Sequence, residues 1–249
     1  MDEIQIVILA AGLGKRMGNK ELPKALVKLR GKTLIKYLLE SIEKSGVCKK
    51  PMIVVGKSAD LVKAELGGNY TYILQEQQLG TGHAVACTRK ELEGKAEDIM
   101  VLYGDHPFVT ARMIEDLAQK HIEKGDVLTM AVVKVPDFEG WRHGFYDFGR
   151  IIRNNQGKIC QIIEKKDANE SQKEIREVNP AYFCFKADWL WRNLANLKNN
   201  NAASEYYLTD LLSMACAQGQ EIATVEINPQ EALGINTPEQ LALIDKLLD

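Results

Sequence analysis

IQIVILAAGLGKRMGNKELPKAL, residues 4–26, is a short apolar run, Ile4 to Leu9, that empties into a glycine-bearing loop. Seven of the eighteen residues from Lys15 to Lys32 are cationic. Such a loop suits phosphate: glycines let backbone amides reach anionic oxygens with no Cβ in the way, and Arg16 and Lys24 bring charge the amides lack. Two better-known phosphate loops are excluded by spacing. The P-loop pattern fails because Lys15 follows Gly14 with no glycine five residues earlier, and Arg16 stands where Ser or Thr is needed. The dinucleotide pattern starts with Gly12 and Gly14, but its third glycine, Gly18, falls one residue late, and the strand ending near Val55 offers no ribose carboxylate. A surface turn carrying solvated lysines is the competing reading; the apolar strand before the loop and the Leu22-Pro23-Lys24 turn within it argue against that.

At 249 residues with 45% hydrophobic and 27% charged side chains, the chain is long enough to bury a full core. Its net charge of −2 gives no global basic excess, so nucleic acid is not an expected partner. The positive charge is local to the loop, which points to a small anionic ligand. Five cysteines, Cys48, Cys87, Cys160, Cys184 and Cys216, lack CxxC spacing and are odd in number, so neither zinc nor a disulfide framework is expected; they read as reduced, mostly buried thiols. The acidic start and the short apolar run do not form a signal peptide, and no later segment reads as a membrane span. The cytoplasm is the expected compartment.

Up to about Thr110 the chain alternates apolar runs at 4–9, 52–55, 72–74 and 99–103 with helical patterns at 33–44, 59–66 and 81–92, the βαβ rhythm of a parallel sheet. Leu34, Ile35, Leu38, Leu39 and Ile42 form one helix face. A further helix is expected to start with Thr110 as N-cap and to end near Gly125. From Val127 the texture becomes strand-like, in VLTMAVVKV, FGRIIRN, KICQIIEK and EVNPAYFCF, so antiparallel pairing is expected, with helices returning at 187–197, 205–217 and 238–248. DFEGWRHGFY, residues 137–146, and then residues 165–177 read as the mobile loops. Ligands of an open parallel sheet bind where strands end, so the loops after Leu9, Leu74 and Tyr103 should share one crevice.

Two of those loops carry chemistry. In QEQQLGTGHAV, residues 75–85, a Gly-Thr-Gly turn opens a helix and presents amides, while Gln75 can donate and accept together at a nucleobase edge. Alone this is a weak signal; His83 reads as packing or capping. In VLYGDHPFV, Asp105 follows a strand across a tight glycine turn, where a carboxylate facing a phosphate loop suits nucleotide-bound Mg²⁺. A solvated turn aspartate is the bland alternative, and His106 beside it does not make a metal site with His121 or His143.

Taken in order, LAAGLGKRM, LPKAL, QEQQLGTGHAV, LYGD, FGRIIR, IIEKKDA, EVN, NNAASEYYLTDLL and ALGINTPEQL resemble the sugar-1-phosphate nucleotidyltransferases, most closely the pyrophosphorylase domain of bacterial N-acetylglucosamine-1-phosphate uridyltransferase. The resemblance implies an α/β fold of Rossmann-like, GT-A-like nucleotidyltransferase type, a mixed sheet flanked by helices. It implies a nucleotide half to about 110 and a sugar half beyond it, expected as one domain over residues 1–249; the C-terminal β-helix of the family's bifunctional members is not expected in these residues. It places Leu9, Ala11 and Gly12 on the nucleotide, Arg16 and Lys24 on its phosphates, and Gln75, Gly80 and Thr81 at the uracil. Asp105 and Asn236 would hold Mg²⁺; Gly149, Glu164 and Asn179 would hold the sugar, with Tyr103 beside nucleotide or sugar. The implied reaction moves UMP from UTP to a sugar 1-phosphate, best N-acetylglucosamine 1-phosphate, with Arg16, Lys24 and Asp105 as catalytic groups. Another base or acceptor on the same fold, or a catalytically silent binding module, are the alternatives. Two departures bear on the acceptor: the loop ahead of Gly149 is longer than usual in the family, and Pro180-Ala181 replaces the usual threonine and glycine after Asn179.

Overall fold

The structure, a computed structural model, describes residues 4–14 and 22–247. Arg16 lies outside the described residues. In chain order the elements are β1 (Gln5–Ala10), β2 (Lys28–Leu29), β3 (Lys32–Thr33), α1 (Leu34–Ser45), β4 (Met52–Val55), α2 (Ala59–Leu66), β5 (Thr71–Leu74), α3 (Thr81–Ala86), α4 (Arg89–Leu92), β6 (Asp98–Tyr103), α5 (Ala111–Lys124) and β7 (Leu128–Lys134). There follow β8 (Gly149–Arg153), β9 (Ile159–Ile163), α6 (Glu170–Lys173), β10 (Glu177–Asn179), β11 (Phe183–Lys186), α7 (Ala187–Leu194), α8 (Asp210–Ala217), β12 (Ile222–Glu226) and α9 (Pro238–Leu247).

The large sheet runs β5-β4-β1-β6-β11-β7-β10-β8-β9, and β12 pairs with β7. β5, β4, β1 and β6 are mutually parallel, whereas β11 runs antiparallel to both β6 and β7. Both faces are covered, which is why β1 reads as an unbroken apolar run. Ile6 and Ile8 enter the core beneath α1 and α5, and Val7 and Leu9 enter the opposite core beneath α7 and α8. The expected stripe of α1 is buried as a unit, and Gly46 closes that helix at φ 64°. Thr110 caps α5 as expected, its Oγ1 accepting from Met113 N at 3.1 Å, and Gly125 ends it. Asp98 ties β6 to two neighbours: its carboxylate accepts from His121 Nε2 of α5 at 3.1 Å and from Lys186 Nζ of β11 at 2.8 Å.

The departures from expectation have local causes. The helical pattern at 81–92 breaks in two at Thr88, whose hydroxyl donates to Val85 O at 2.7 Å. Residues 205–209 are not helical, because Tyr206 bonds outward to the 79–82 loop. EVNPAYFCF splits into β10 and β11 at Pro180, which has no N–H to pair, and Ala181, at φ 66°. The segment expected as the first mobile loop forms a 3-10 helix, Gly140–Asp147, whose Phe145 meets Trp141 edge to face, and also Phe148 just beyond the helix. The second contains α6, opened by an Asn169–Gln172 capping box. Arg150, fully buried, fastens both, donating to Tyr146 O at 3.0 Å and to Lys173 O at 3.1 Å. β12, unforeseen in the sequence, adds its five residues along β7. The five cysteines are free thiols, but only Cys48 and Cys184 are fully buried, fewer than expected. No helix among the described residues is long and apolar enough to cross a membrane.

Candidate active site

The loops leaving β1, β5 and β6 do meet. Leu9, Ala11, Gly12, Gln75, Gly80 and Thr81 line a cavity of about 270 Å³, together with Lys24, Tyr103 and Asp105. A second cavity of about 410 Å³ takes in Gly149, Glu164, Asn179 and Asn236. Lys24, Thr81, Tyr103, Asp105 and Glu205 form the wall common to both. Every sequence-derived site residue among those described therefore lies on one continuous crevice.

The glycine loop is pinned where it re-enters the described chain. Gly14 N donates to Leu22 O and Lys24 N to Gly12 O, both at 3.1 Å, which returns Lys24 to the mouth of β1. Its ammonium donates to Asp105 Oδ2 and Asn236 Oδ1. Asp105 is held to the same far loop through its backbone, its carbonyl accepting from Ile235 N at 3.2 Å. Burial alone would raise the Asp105 pKa, but the Lys24 ammonium beside it reverses that and holds the carboxyl below its ordinary range. Asn236 also donates its backbone N–H to Gln240 Oε1 at 2.7 Å, so the start of α9 fixes its position; the helix cap itself falls to Thr237.

His106 is buried beside Asp105 and engages Tyr182. Its Nδ1 lies 2.6 Å from the Tyr182 hydroxyl, which donates onward to Glu231 O at 3.0 Å, and burial pushes the imidazole down to about 4. No group of three or more His, Cys, Asp or Glu side chains among the described residues is placed to hold a metal. The oxygen pair of Asp105 and Asn236 nevertheless fits Mg²⁺, which takes few protein ligands when phosphate and water complete its shell. Both oxygens already converge on a cation, the Lys24 ammonium.

In the first cavity Gln75 is buried, and its two amide hydrogens point to Gly80 O and His83 Nδ1, each at 3.1 Å. This differs from the reading of Gln75 as donor and acceptor together: its NH₂ group holds the turn. His83 is the packing residue expected. Gln78, missed in the sequence although it stands in the same QEQQ run, lines this cavity and donates to Ala11 O.

Gly80 has φ 108°, and a Cβ there would lie 2.7 Å from Tyr206 O and 2.8 Å from Tyr206 N. That closeness admits the 201–209 segment as a strap over the turn: Tyr206 N donates to Leu79 O and accepts through its carbonyl from Gly82 N, both at 2.8 Å, and Leu208 N donates to Thr81 Oγ1 at 3.0 Å. The strap brings Glu205 to the shared wall. The family resemblance also places EYYLTD, residues 205–210, beside the sugar; its reading as the start of a helix differs from the structure, where α8 begins at Asp210.

At the second cavity the antiparallel pairing lines up the residues expected there. Asn179 of β10 sits opposite Gly149 of β8, and Glu164 follows directly after β9. A Cβ on Gly149 would lie 3.4 Å from Glu164 Oε1 and 2.8 Å from Ile162 Cγ2, so glycine permits this approach. Glu164 Oε1 accepts from Thr209 Oγ1 at 3.0 Å, while burial raises its pKa above the ordinary carboxylate value. Burial, reinforced by the charges of Glu164 and Asp105, likewise keeps the Tyr103 phenol protonated.

A family model described as the MobA-like NTP transferase domain matches residues 6–208. The chain belongs to this family. This NTP transferase chain is 38% identical over 243 residues to the bifunctional protein GlmU of Brevibacillus brevis and 37% identical to that of Clostridium botulinum. Each alignment covers 97% of the chain and 51% of the relative, so the chain spans about half the length of the curated relatives it matches. A structure of a UDP-glucose pyrophosphorylase complexed with UDP-glucose superposes with a TM-score of 0.74 at 18% identity, over 99% of this chain and 98% of that one. The NTP transferase thus has the mixed-sheet α/β nucleotidyltransferase fold expected from its sequence.

Proposed function

We propose that the chain transfers a nucleotidyl group, UMP from UTP, to a sugar 1-phosphate, with N-acetylglucosamine 1-phosphate as the first acceptor to test, and releases pyrophosphate. The observation that carries this reading is the seam at Lys24, Asp105 and Asn236, which lies between a cavity at the ends of the parallel strands and a second cavity rimmed by hydrogen-bonding groups. An anionic phosphate oxygen of the acceptor attacks the α-phosphorus in line, and the bond to the bridging oxygen of pyrophosphate breaks. The acceptor arrives ionised, so no side chain needs to act as a base.

What the chain supplies is placement and charge. Gly12 and the Gly80-Thr81 turn offer backbone to the nucleotide, and Gln75 Oε1 faces the base. Arg16 and Lys24 serve the phosphates; Lys24 can turn from its two oxygen partners toward the transferred group. Asn179, Gly149 and Glu164 shape the sugar side, with Tyr103 on the wall between. Mg²⁺ held by Asp105 and Asn236 would neutralise phosphate charge. The nucleotide side is assigned to residues up to about 110 and the acceptor side to the rest, as one unit. Removing a cation in Lys24's position is expected to cost about 3 kcal/mol of barrier, roughly a hundredfold in rate.

The test is pyrophosphate release from a grid of nucleoside triphosphates against sugar 1-phosphates with Mg²⁺ present. UTP with N-acetylglucosamine 1-phosphate should dominate. A different dominant pair would reassign base or acceptor while keeping the mechanism, and silence over the whole grid would reject the reading.

A further inference from the structure

Three described residues other than glycine have positive φ: Arg30, Ala181 and Ser204. Arg30 and Ser204 are exposed in turns, whereas Ala181 is half-buried on the wall of the acceptor-side cavity. Its position follows from the pairing along β7. Val178 pairs with Val133 and Phe183 with Met130, so five steps of one chain answer three of the other. The extra residues form a bulge at Pro180-Ala181, at the point where the sheet forks toward β8 on one side and β6 on the other. Bulges of this kind re-aim residues beside sites. Here the bulge is fixed by Asn179, whose Oδ1 accepts from Ala181 N at 2.9 Å across Pro180.

Glycine adopts this backbone without penalty, and alanine does not. No hydrogen bond requires a side chain at 181, since the contact to Asn179 uses the backbone N–H. The methyl group therefore strains the chain at a residue that lines the acceptor cavity, and strain of this kind is concentrated at ligand-contacting positions. Resting on the sugar 1-phosphate reading above, we infer that the Ala181 methyl is a specificity determinant: it limits the size of the substituent that the acceptor ring can place between Asn179 and Glu164, admitting a short acyl or hydroxyl group and rejecting a longer one.

The test compares the unsubstituted protein with Ala181→Gly on UTP and a series of N-acyl glucosamine 1-phosphates, acetyl, propionyl and butyryl. Removing a methyl from a pocket wall alters discrimination of one methylene by about tenfold. The propionyl-to-acetyl ratio of kcat/KM should rise by about that factor in Ala181→Gly, and the Tm should rise by about 2 °C as the positive φ is relieved. A raised Tm with an unchanged ratio overturns the inference, because the strain then serves no selection; so does a lowered Tm. If the unsubstituted protein releases no pyrophosphate with any member of the series or with hexose 1-phosphates, the sugar 1-phosphate reading fails and this inference falls with it. Turnover of the acetyl compound with an unmoved ratio removes only the inference.

Discussion

Gly80→Ala should detach the strap from the base-side turn. At φ 108° an alanine is strained by about 1–3 kcal/mol, and its Cβ would lie 2.7 and 2.8 Å from the Tyr206 backbone, which no rotamer change can relieve. Tyr206 must move, and the bonds from Tyr206 N to Leu79 O and from Gly82 N to Tyr206 O are lost with it, at about 1 kcal/mol each. The total is about 4 kcal/mol, or a Tm loss of about 10 °C if the strap unfolds with the rest. Gly94→Ala is the control: Gly94 has φ 74° but open space around its would-be Cβ, so only the backbone cost of about 1 kcal/mol applies. Thermal unfolding of both variants, with hydrogen exchange at the Gly82 and Tyr206 amides, separates close approach from conformational strain. If Gly80→Ala matches Gly94→Ala in Tm and keeps both amides protected, the argument from the Tyr206 contact is wrong.

Asp105→Asn should leave the fold intact, seen as an unchanged far-ultraviolet circular dichroism spectrum, while lowering Mg²⁺-dependent pyrophosphate release by about a hundredfold, about 3 kcal/mol. Glu164 has a folded pKa above its unfolded value, so the folded state binds more protons and stability falls as pH rises from about 4.3 through the folded value. Glu164→Gln should abolish that slope in urea titrations at several pH values, while the acceptor kcat/KM drops by about tenfold for a lost charged hydrogen bond. Asp98 shows the opposite sign: burial pushes its pKa up, but the bonds from His121 and Lys186 outweigh it, so its stabilisation is present above about pH 3.9 and lost as pH falls through the folded value. Asp98→Asn should cost about 3 kcal/mol at pH 7 by leaving His121 and Lys186 without their carboxylate, and should flatten the acid limb of the stability curve.

The first half of the fold was legible because β1 and β6 are buried on both faces and their neighbouring helices carry clean apolar stripes. The Thr110 cap and the Gly125 stop follow from local chemistry alone. β12 was hidden because only Ala223 of its five residues is fully buried, so its pairing with β7 leaves little apolar signature. The strap was misread because Tyr206 takes its partners from a turn more than a hundred residues away, which no local pattern encodes. In the site, Asp105 could be picked from a strand end facing a glycine loop. Asn236, Glu164 and Asn179 could not without the family resemblance: Glu164 and Asn179 look like surface polar residues and Asn236 like a helix N-cap or turn residue, until pairing of distant strands or the far loop brings each to the crevice. Gln75 shows the limit of residue-type reasoning, since its amide donors turn inward to Gly80 and His83.

The Lys24 ammonium between Asp105 and Asn236 also makes the resting protein its own counterion system. The Asp105 carboxylate is compensated from within the chain, and the same ammonium ties the early loop to the one before α9. Exhaustive chelation should therefore silence turnover without lowering the melting temperature, and readdition of Mg²⁺ should restore activity at once, with no refolding lag.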